Sequence, residues 1–216
     1  VLWPPQCNVT VTICCNADDK LTLQAIDGLG SHPAENVTVN ALLMPLSDLF
    51  RRAIGRNRAA KASKADVVFH IDADYLLGRG CLDSICAVDF GDYNSIIPRK
   101  AWMHRSHYEG DAELERCRVG ELFEQDLSLF QAWHPKEAIG GLQIVRGDVA
   151  RLGYLDGTKW QTPVPDVSEG FATTAEDRKY RRLELKSNTK RADIVNLYRL
   201  RHTESPWETA EQRNLK

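Results

Sequence analysis

The sequence predicts a single α/β domain, with a mostly parallel mixed central sheet flanked by helices. Three observations lead there. β-Branched and apolar runs alternate with helical stretches at the intervals of βαβ units. From Asp66 to Ile71 the chain runs apolar after its opening acid, broken only by His70, the pattern of a strand buried on both faces. The 216 residues, 43% hydrophobic and 27% charged, suit one globule large enough to bury a core. A disordered tail, a fibre and a disulfide-stapled miniprotein are excluded.

The elements follow in order. Residues 9–15 are a β-branched strand stopped by Asn16-Ala17-Asp18-Asp19, and residues 20–29 a short helix ending at glycines. Residues 36–44 are a second strand closed by Pro45. Ser47 caps a helix through residue 63, with Leu46, Phe50, Ala53 and Ile54 in one stripe. After the strand at 66–71, residues 95–97 read as strand and 112–130 as an acidic helical region. Residues 140–145 read as strand and 148–152 as a short helix. Residues 156–174, with Gly157, Pro163, Pro165 and Gly170, read as a long loop, whose part from Asp156 to Phe171 is expected to order over a bound donor. A helix over 174–186 and a strand-like run at 194–200 complete the chain.

Charge is balanced overall, 28 Lys+Arg against 30 Asp+Glu, so no general excess advertises nucleic acid or membrane. Locally, residues 51–64 carry six basic and no acidic side chains, and residues 178–216 eleven basic against five acidic. Six cysteines are too sparse for a disulfide scaffold, and Cys81-x4-Cys86 lacks the second pair of a zinc site. No run approaches the ~20 apolar residues of a membrane span, and no secretory leader is evident. The expectation is a cytoplasmic protein.

The sharpest local signal is Asp72-Ala73-Asp74, at the carboxyl end of the apolar strand. Ligands of open α/β sheets bind beyond strand carboxyl ends. Two acids there can hold a hard divalent cation whose other positions a diphosphate fills. Acids are also ordinary in turns after strands. On the basic helix, Asn57 falls on the apolar stripe and needs buried partners, which the end of a neighbouring strand can provide. Arg56 and Arg58 flank that stripe and can face a phosphate, or simply water. In Thr173-Thr174-Ala175-Glu176-Asp177 both capping-box spacings occur. A carboxylate at a helix start is also held ionised, as a general base requires. His70, inside the strand, reads as a core residue with a satisfied hydrogen bond. His104 reads as a loop residue able to meet an acceptor, and His202 as a possible third metal ligand.

The order of these pieces is more specific than any one. Arg56-Asn57-Arg58-Ala59-Ala60-Lys61, followed by residues 65–74 ending in Asp-Ala-Asp, resembles the nucleotide-sugar glycosyltransferases of family two. Residues 139–146 and Leu152-Gly153-Tyr154-Leu155-Asp156-Gly157 look like that family's acceptor-side segment. Glu176-Asp177-Arg178 matches its acidic pair, and His202 with Arg213-Asn214 is similar to the galactosyltransferase carboxyl-terminal region. The resemblance covers roughly residues 9–216. It implies a GT-A, Rossmann-like fold, with about 1–100 the nucleotide-sugar and metal half and about 101–216 the acceptor half.

Carried over, the resemblance implies Mn2+ or Mg2+ held by Asp72, Asp74 and His202. The donor, a UDP-sugar, would lie against Asn16, Asp18, Arg56, Asn57, Asp72, Ala73, Gly140 and Gly141. Asp177, with Glu176 as the alternative, would deprotonate the acceptor hydroxyl, with inversion at the anomeric carbon. Trp133, Trp160 and His104 are the acceptor-side candidates. The tryptophan-glycine pair that often precedes the acidic pair is absent, replaced by Ser168-Glu169-Gly170-Phe171, which leaves the acceptor class open. A glycan, or a hydroxymethylated base in DNA as in phage DNA modification, would fit. The basic carboxyl-terminal third suits a phosphate-bearing acceptor. Two rival classes are a haloacid-dehalogenase-like phosphohydrolase and a non-catalytic glycan- or partner-binding module. The first is disfavoured by Tyr75-Leu76 after the acids, the second by the intact acidic set.

Overall fold

The computed structural model describes residues 4–30, 35–105, 127–135, 141–169 and 176–200. Ten strands and six short α-helices lie in this part of the chain. Strand β1 (Val9–Cys15) leads into helix α1 (Lys20–Gly30) and strand β2 (Val37–Leu43), and β1 and β2 pair in parallel. The expected single helix over 47–63 is two, α2 (Leu46–Leu49) and α3 (Arg52–Ala62). Pro45, not Ser47, stands at the start of α2, and the chain turns at Phe50 and at Arg51, which is non-helical (φ −105°, ψ 86°).

The sheet that matters to function has the order β3-β8-β5-β9, with β3 Val67–Ile71, β5 Ser95–Pro98, β8 Leu142–Arg146 and β9 Thr189–Ala192. A third sheet, β4-β10-β6-β7, joins β4 (Tyr75–Leu77), β6 (Ala101–His104), β7 (Phe130–Trp133) and β10 (Leu197–Arg199). The expected α/β class with mixed sheets and flanking helices is observed. The expectation of a mostly parallel sheet is corrected. Pairings β1–β2, β5–β9 and β6–β10 are parallel, whereas β3–β8, β5–β8, β4–β10 and β6–β7 are antiparallel. Short runs such as Tyr75–Leu77 and Thr189–Ala192 escape a pattern search because they are too brief to show a period.

Strand β8 divides two cores, because alternate side chains point to opposite faces. Leu142 and Ile144 join Tyr75, Cys81, Ile85 and Phe90 on one face, where helix α4 (Cys81–Cys86) packs. Val145 joins Ala53, Ala60, Tyr154, Tyr180 and Leu185 on the other, under α3 and α6 (Glu176–Leu183), with α5 (Gly147–Ala150) contributing Val149 and Ala150. The same alternation in β3 turns Val67, Phe69 and Ile71 to the first core and Val68 to the second. Apolar residues on both sides explain why Val67, Val68, Phe69 and Ile71 show no polar alternation.

Gly55 lets α3 approach β1. A Cβ there would stand 2.8 Å from the Cys14 Sγ. A disulfide joins Cys7 to Cys86, fastening the lead-in to β1 onto the end of α4. One bridge is no scaffold, but disulfides persist in oxidising surroundings, which weighs against the cytoplasmic expectation. Among the described residues no helix is long and apolar enough to cross a membrane.

Candidate functional site

The site forms where β3 ends, against the face covered by α3 and α6. Asp72 follows Ile71 directly. Its amide donates to the Gly141 carbonyl oxygen at 3.2 Å, continuing the β3–β8 ladder one step past the strand. Ala73 is exposed, and Asp74 turns back to accept from Arg199 Nε at 3.0 Å on Oδ2. The Asp74 carbonyl receives the Leu200 amide at 2.8 Å. The acidic triplet is therefore tied into β8 on one side and to the end of β10 on the other.

Arg56 is the centre of the arrangement. Its Nη2 donates to Asp72 Oδ1 at 2.7 Å, and its Nη1 donates to Tyr154 Oη at 3.1 Å and to Asp177 Oδ1. Burial works against the Arg56 charge, but Tyr154, Asp177 and Asp72 outweigh it and raise its pKa. Arg52, one turn earlier on α3, lies 3.8 Å from Asp72 Oδ2 and 3.4 Å from Glu176 Oε1. The expected phosphate-facing role of Arg58 is not seen, since its guanidinium pairs with Asp48 at 2.6 Å.

The two candidate bases part company in exposure. Both open α6, but the Glu176 side chain is 1% exposed and the Asp177 side chain 14%. Only Asp177 offers surface to an incoming hydroxyl. Its Oδ1 also receives Gln143 Nε2 at 3.3 Å and the Tyr154 hydroxyl. Burial pushes the Tyr154 phenol well above its ordinary pKa, with Asp177 adding to the rise and Arg56 opposing it, so the phenol stays a donor. The capping threonines Thr173 and Thr174 lie outside the described residues.

Asn57 is buried as expected, but its partners differ from expectation. They come from the distant loop after α5, not from a strand end. Its Nδ2 donates to Asp156 Oδ1 at 3.1 Å and Gln161 Oε1 at 3.0 Å, and its Oδ1 accepts from the Tyr154 amide at 2.9 Å. Gly153 makes room, with φ +116° and a Cβ position only 2.8 Å from Asn57 Oδ1. Lys61 holds Asp156 Oδ2 at 2.6 Å, and Val164 N–H reaches the Ser47 carbonyl at 2.9 Å. The first half of the expected long loop is thus pinned to α2 and α3, with 3₁₀ turns at Lys159–Gln161 and Val167–Glu169.

The remaining candidates divide. Asn16, after β1, donates to the Met44 carbonyl at 3.0 Å and accepts from the Asp18 amide at 2.8 Å, and Asp18 is exposed. Trp160 is half-buried beneath the Arg51 and Lys159 cations. Trp133 is half-buried with the Arg199 guanidinium 5.9 Å over its ring, which connects it to Asp74 through one side chain. The acceptor role expected of His104 is corrected. It ends strand β6, is 0% exposed and stands edge-on to Phe130, so no acceptor reaches it. Gly140 and His202 lie outside the described residues. His70 packs edge-on to Tyr154 and Tyr180, and its Nε2 has no hydrogen-bond partner among the described residues, contrary to expectation.

Residues that could hold a cation can be weighed directly. Asp74 Oδ1 is buried and has no hydrogen-bond partner among the described residues. Asp72 is one-third exposed beside it in sequence. Among the described residues no group of three or more metal-ligating side chains gathers, and Asp72 and Asp74 Oδ2 already face Arg52, Arg56 and Arg199. The sequence assigns no role to Arg199 or Gln143, and Tyr154 stands out there only within residues 152–157. The strand alternation around Gln143 was the one available clue, a polar residue in an apolar strand. No protein-family model matches the chain, and no curated protein matches it.

Proposed function

We propose that the chain is a GT-A-type glycosyltransferase that moves a sugar from a nucleotide-sugar, a UDP-sugar foremost, onto an acceptor hydroxyl with inversion. The observation that carries this reading is Arg56, whose one guanidinium holds both Asp72 and Asp177. A donor-side acid and a partly exposed base thus face one another across a single side chain. Inverting transfer asks for that juxtaposition, since the hydroxyl must lose its proton as the sugar leaves its diphosphate.

Asp72 and Asp74 would hold Mn2+ or Mg2+, and His202 is the third ligand that the resemblance implies. Bound there, the cation supplies Lewis-acid stabilisation of the departing diphosphate. The chain's own groups do the rest. Asp177 accepts the proton from the acceptor oxygen. Arg52 and Arg56 bring positive charge to the donor side, where negative charge grows on the leaving oxygen. Gly141 brings main chain against Asp72, and Trp133 and Trp160 offer half-buried aromatic surface to a sugar. The acceptor is a glycan or a hydroxymethylated DNA base.

The test is calorimetry with UDP, followed by a screen of nucleotide sugars against pooled glycans and hydroxymethylated DNA. UDP should bind with Mn2+ or Mg2+ and lose affinity in excess chelator and in Asp74→Ala. Equal binding in all three conditions, with no transfer to either acceptor pool, overturns the reading.

A further inference from the structure

We propose that Tyr154 and Gln143 are positioning residues that, together with Arg56, occupy one oxygen of Asp177 and leave the other to take the acceptor's proton. The inference rests on the glycosyl-transfer reading above and names the groups that make its base directional. Three donors converge on Asp177 Oδ1: Arg56 Nη1, the Tyr154 hydroxyl and Gln143 Nε2. Among the described residues these bonds all end on Oδ1, and the Asp177 side chain keeps 14% of its surface. A carboxylate fixed through one oxygen cannot rotate freely, so its open oxygen faces a constant direction.

Each clamp member is held more firmly than a surface hydrogen bond requires. The Tyr154 ring is 0% exposed, stacks on Tyr180 at 3.9 Å between centroids, and meets His70 edge-on at 5.2 Å. The Arg56 guanidinium lies 5.5 Å over the same ring. Gln143 is more telling. It is 0% exposed as the second residue of β8, between Leu142 and Ile144, and its Oε1 has no partner among the described residues. A half-satisfied amide in a strand core costs stability that an apolar residue would not. Among the described residues its Nε2 donates to Asp177 Oδ1 and to the Tyr154 hydroxyl at 3.5 Å. The amide is where the base needs it and where the core does not.

In the step served, the acceptor oxygen bonds to the anomeric carbon while its proton passes to Asp177 Oδ2. The bond from the anomeric carbon to the diphosphate oxygen breaks, and its electron pair leaves on that oxygen. Tyr154, Gln143 and Arg56 keep their protons throughout.

The experiment uses the full chain and has two readouts. Proton NMR of the ligand-free protein should show a slowly exchanging, downfield Tyr154 hydroxyl resonance, absent in Tyr154→Phe and displaced in Asp177→Asn and Gln143→Met. Kinetics with the UDP-sugar and acceptor found in the screen should show kcat lowered about 10- to 100-fold in Tyr154→Phe and in Gln143→Met, with KM for the donor unchanged. Adding Tyr154→Phe to Asp177→Asn should lower kcat no further, since an absent base cannot be misdirected. A missing hydroxyl resonance, or additive losses in the double variant, overturns the proposal. A resonance in place with a parent protein that transfers nothing confirms the clamp and overturns the glycosyl-transfer reading it serves.

Discussion

Gly141 closes directly onto Asp72. Its carbonyl accepts the Asp72 amide, and a Cβ on Gly141 would stand 2.5 Å from Asp72 Oδ2. No side chain larger than hydrogen fits there without moving the first acid of the triplet. Gly141→Ala should therefore lower UDP affinity in the presence of Mn2+ by about tenfold or more, as a misplaced charged partner does. Melting should change by no more than ~1–2 kcal/mol, because Asp72 is part-exposed and can swing outward. Calorimetry and thermal melts together check this. Unchanged UDP affinity would show that Asp72 does not need its observed position.

Asp177→Asn separates chemistry from helix capping. The amide keeps the volume and most capping capacity but takes no proton. Transfer per folded molecule should fall ~10²–10⁴-fold with UDP binding near parental, while melting also falls because buried Arg56 loses one of its two carboxylate partners. Glu176→Gln is the comparison, because Glu176 is buried beside Arg52 and out of an acceptor's reach. It should alter melting more than turnover per folded molecule. Near-parental turnover in Asp177→Asn would move the base elsewhere.

His70 gives the fold a pH limit. Burial, aided by the Arg56 charge, pushes its pKa down to about 3, so the folded protein holds it neutral. The unfolded chain protonates it near 6.5. The stabilisation is thus complete above pH ~6.5 and is lost as pH falls from there toward 3, at up to ~1.4 kcal/mol per pH unit. Denaturant melts of the parent and of His70→Gln between pH 7 and 4 should converge as pH falls. Parallel curves would show that His70 is already charged or already exposed.

Much of this was legible in the sequence because the informative signals were local. The β-branched run of β1, the apolar run of β3 and the acids at its end needed only neighbours in sequence to be read. The antiparallel β3–β8 pairing was not legible, since periodicity tells which faces are buried but not which strand lies alongside. Asn57 shows the same limit in a single residue. Its burial followed from its place on the helical stripe, yet its partners Tyr154, Asp156 and Gln161 lie about a hundred residues away. His104 failed for a related reason. A polar residue among turn-formers looks exposed until a third sheet claims it as the end of β6.

The basic run at 51–64 has a consequence for polyanions. A strip of six cations would ordinarily gather a cloud of counterions whose release drives sequence-independent attachment to nucleic acid. Here Arg52, Arg56, Arg58 and Lys61 already face Glu176, Asp72, Asp177, Asp48 and Asp156 within the fold. Charges neutralised internally hold few mobile ions to liberate. This helix should therefore add little to the slope of affinity against salt for any strand the protein meets, and a steep slope would have to originate in the carboxyl-terminal third.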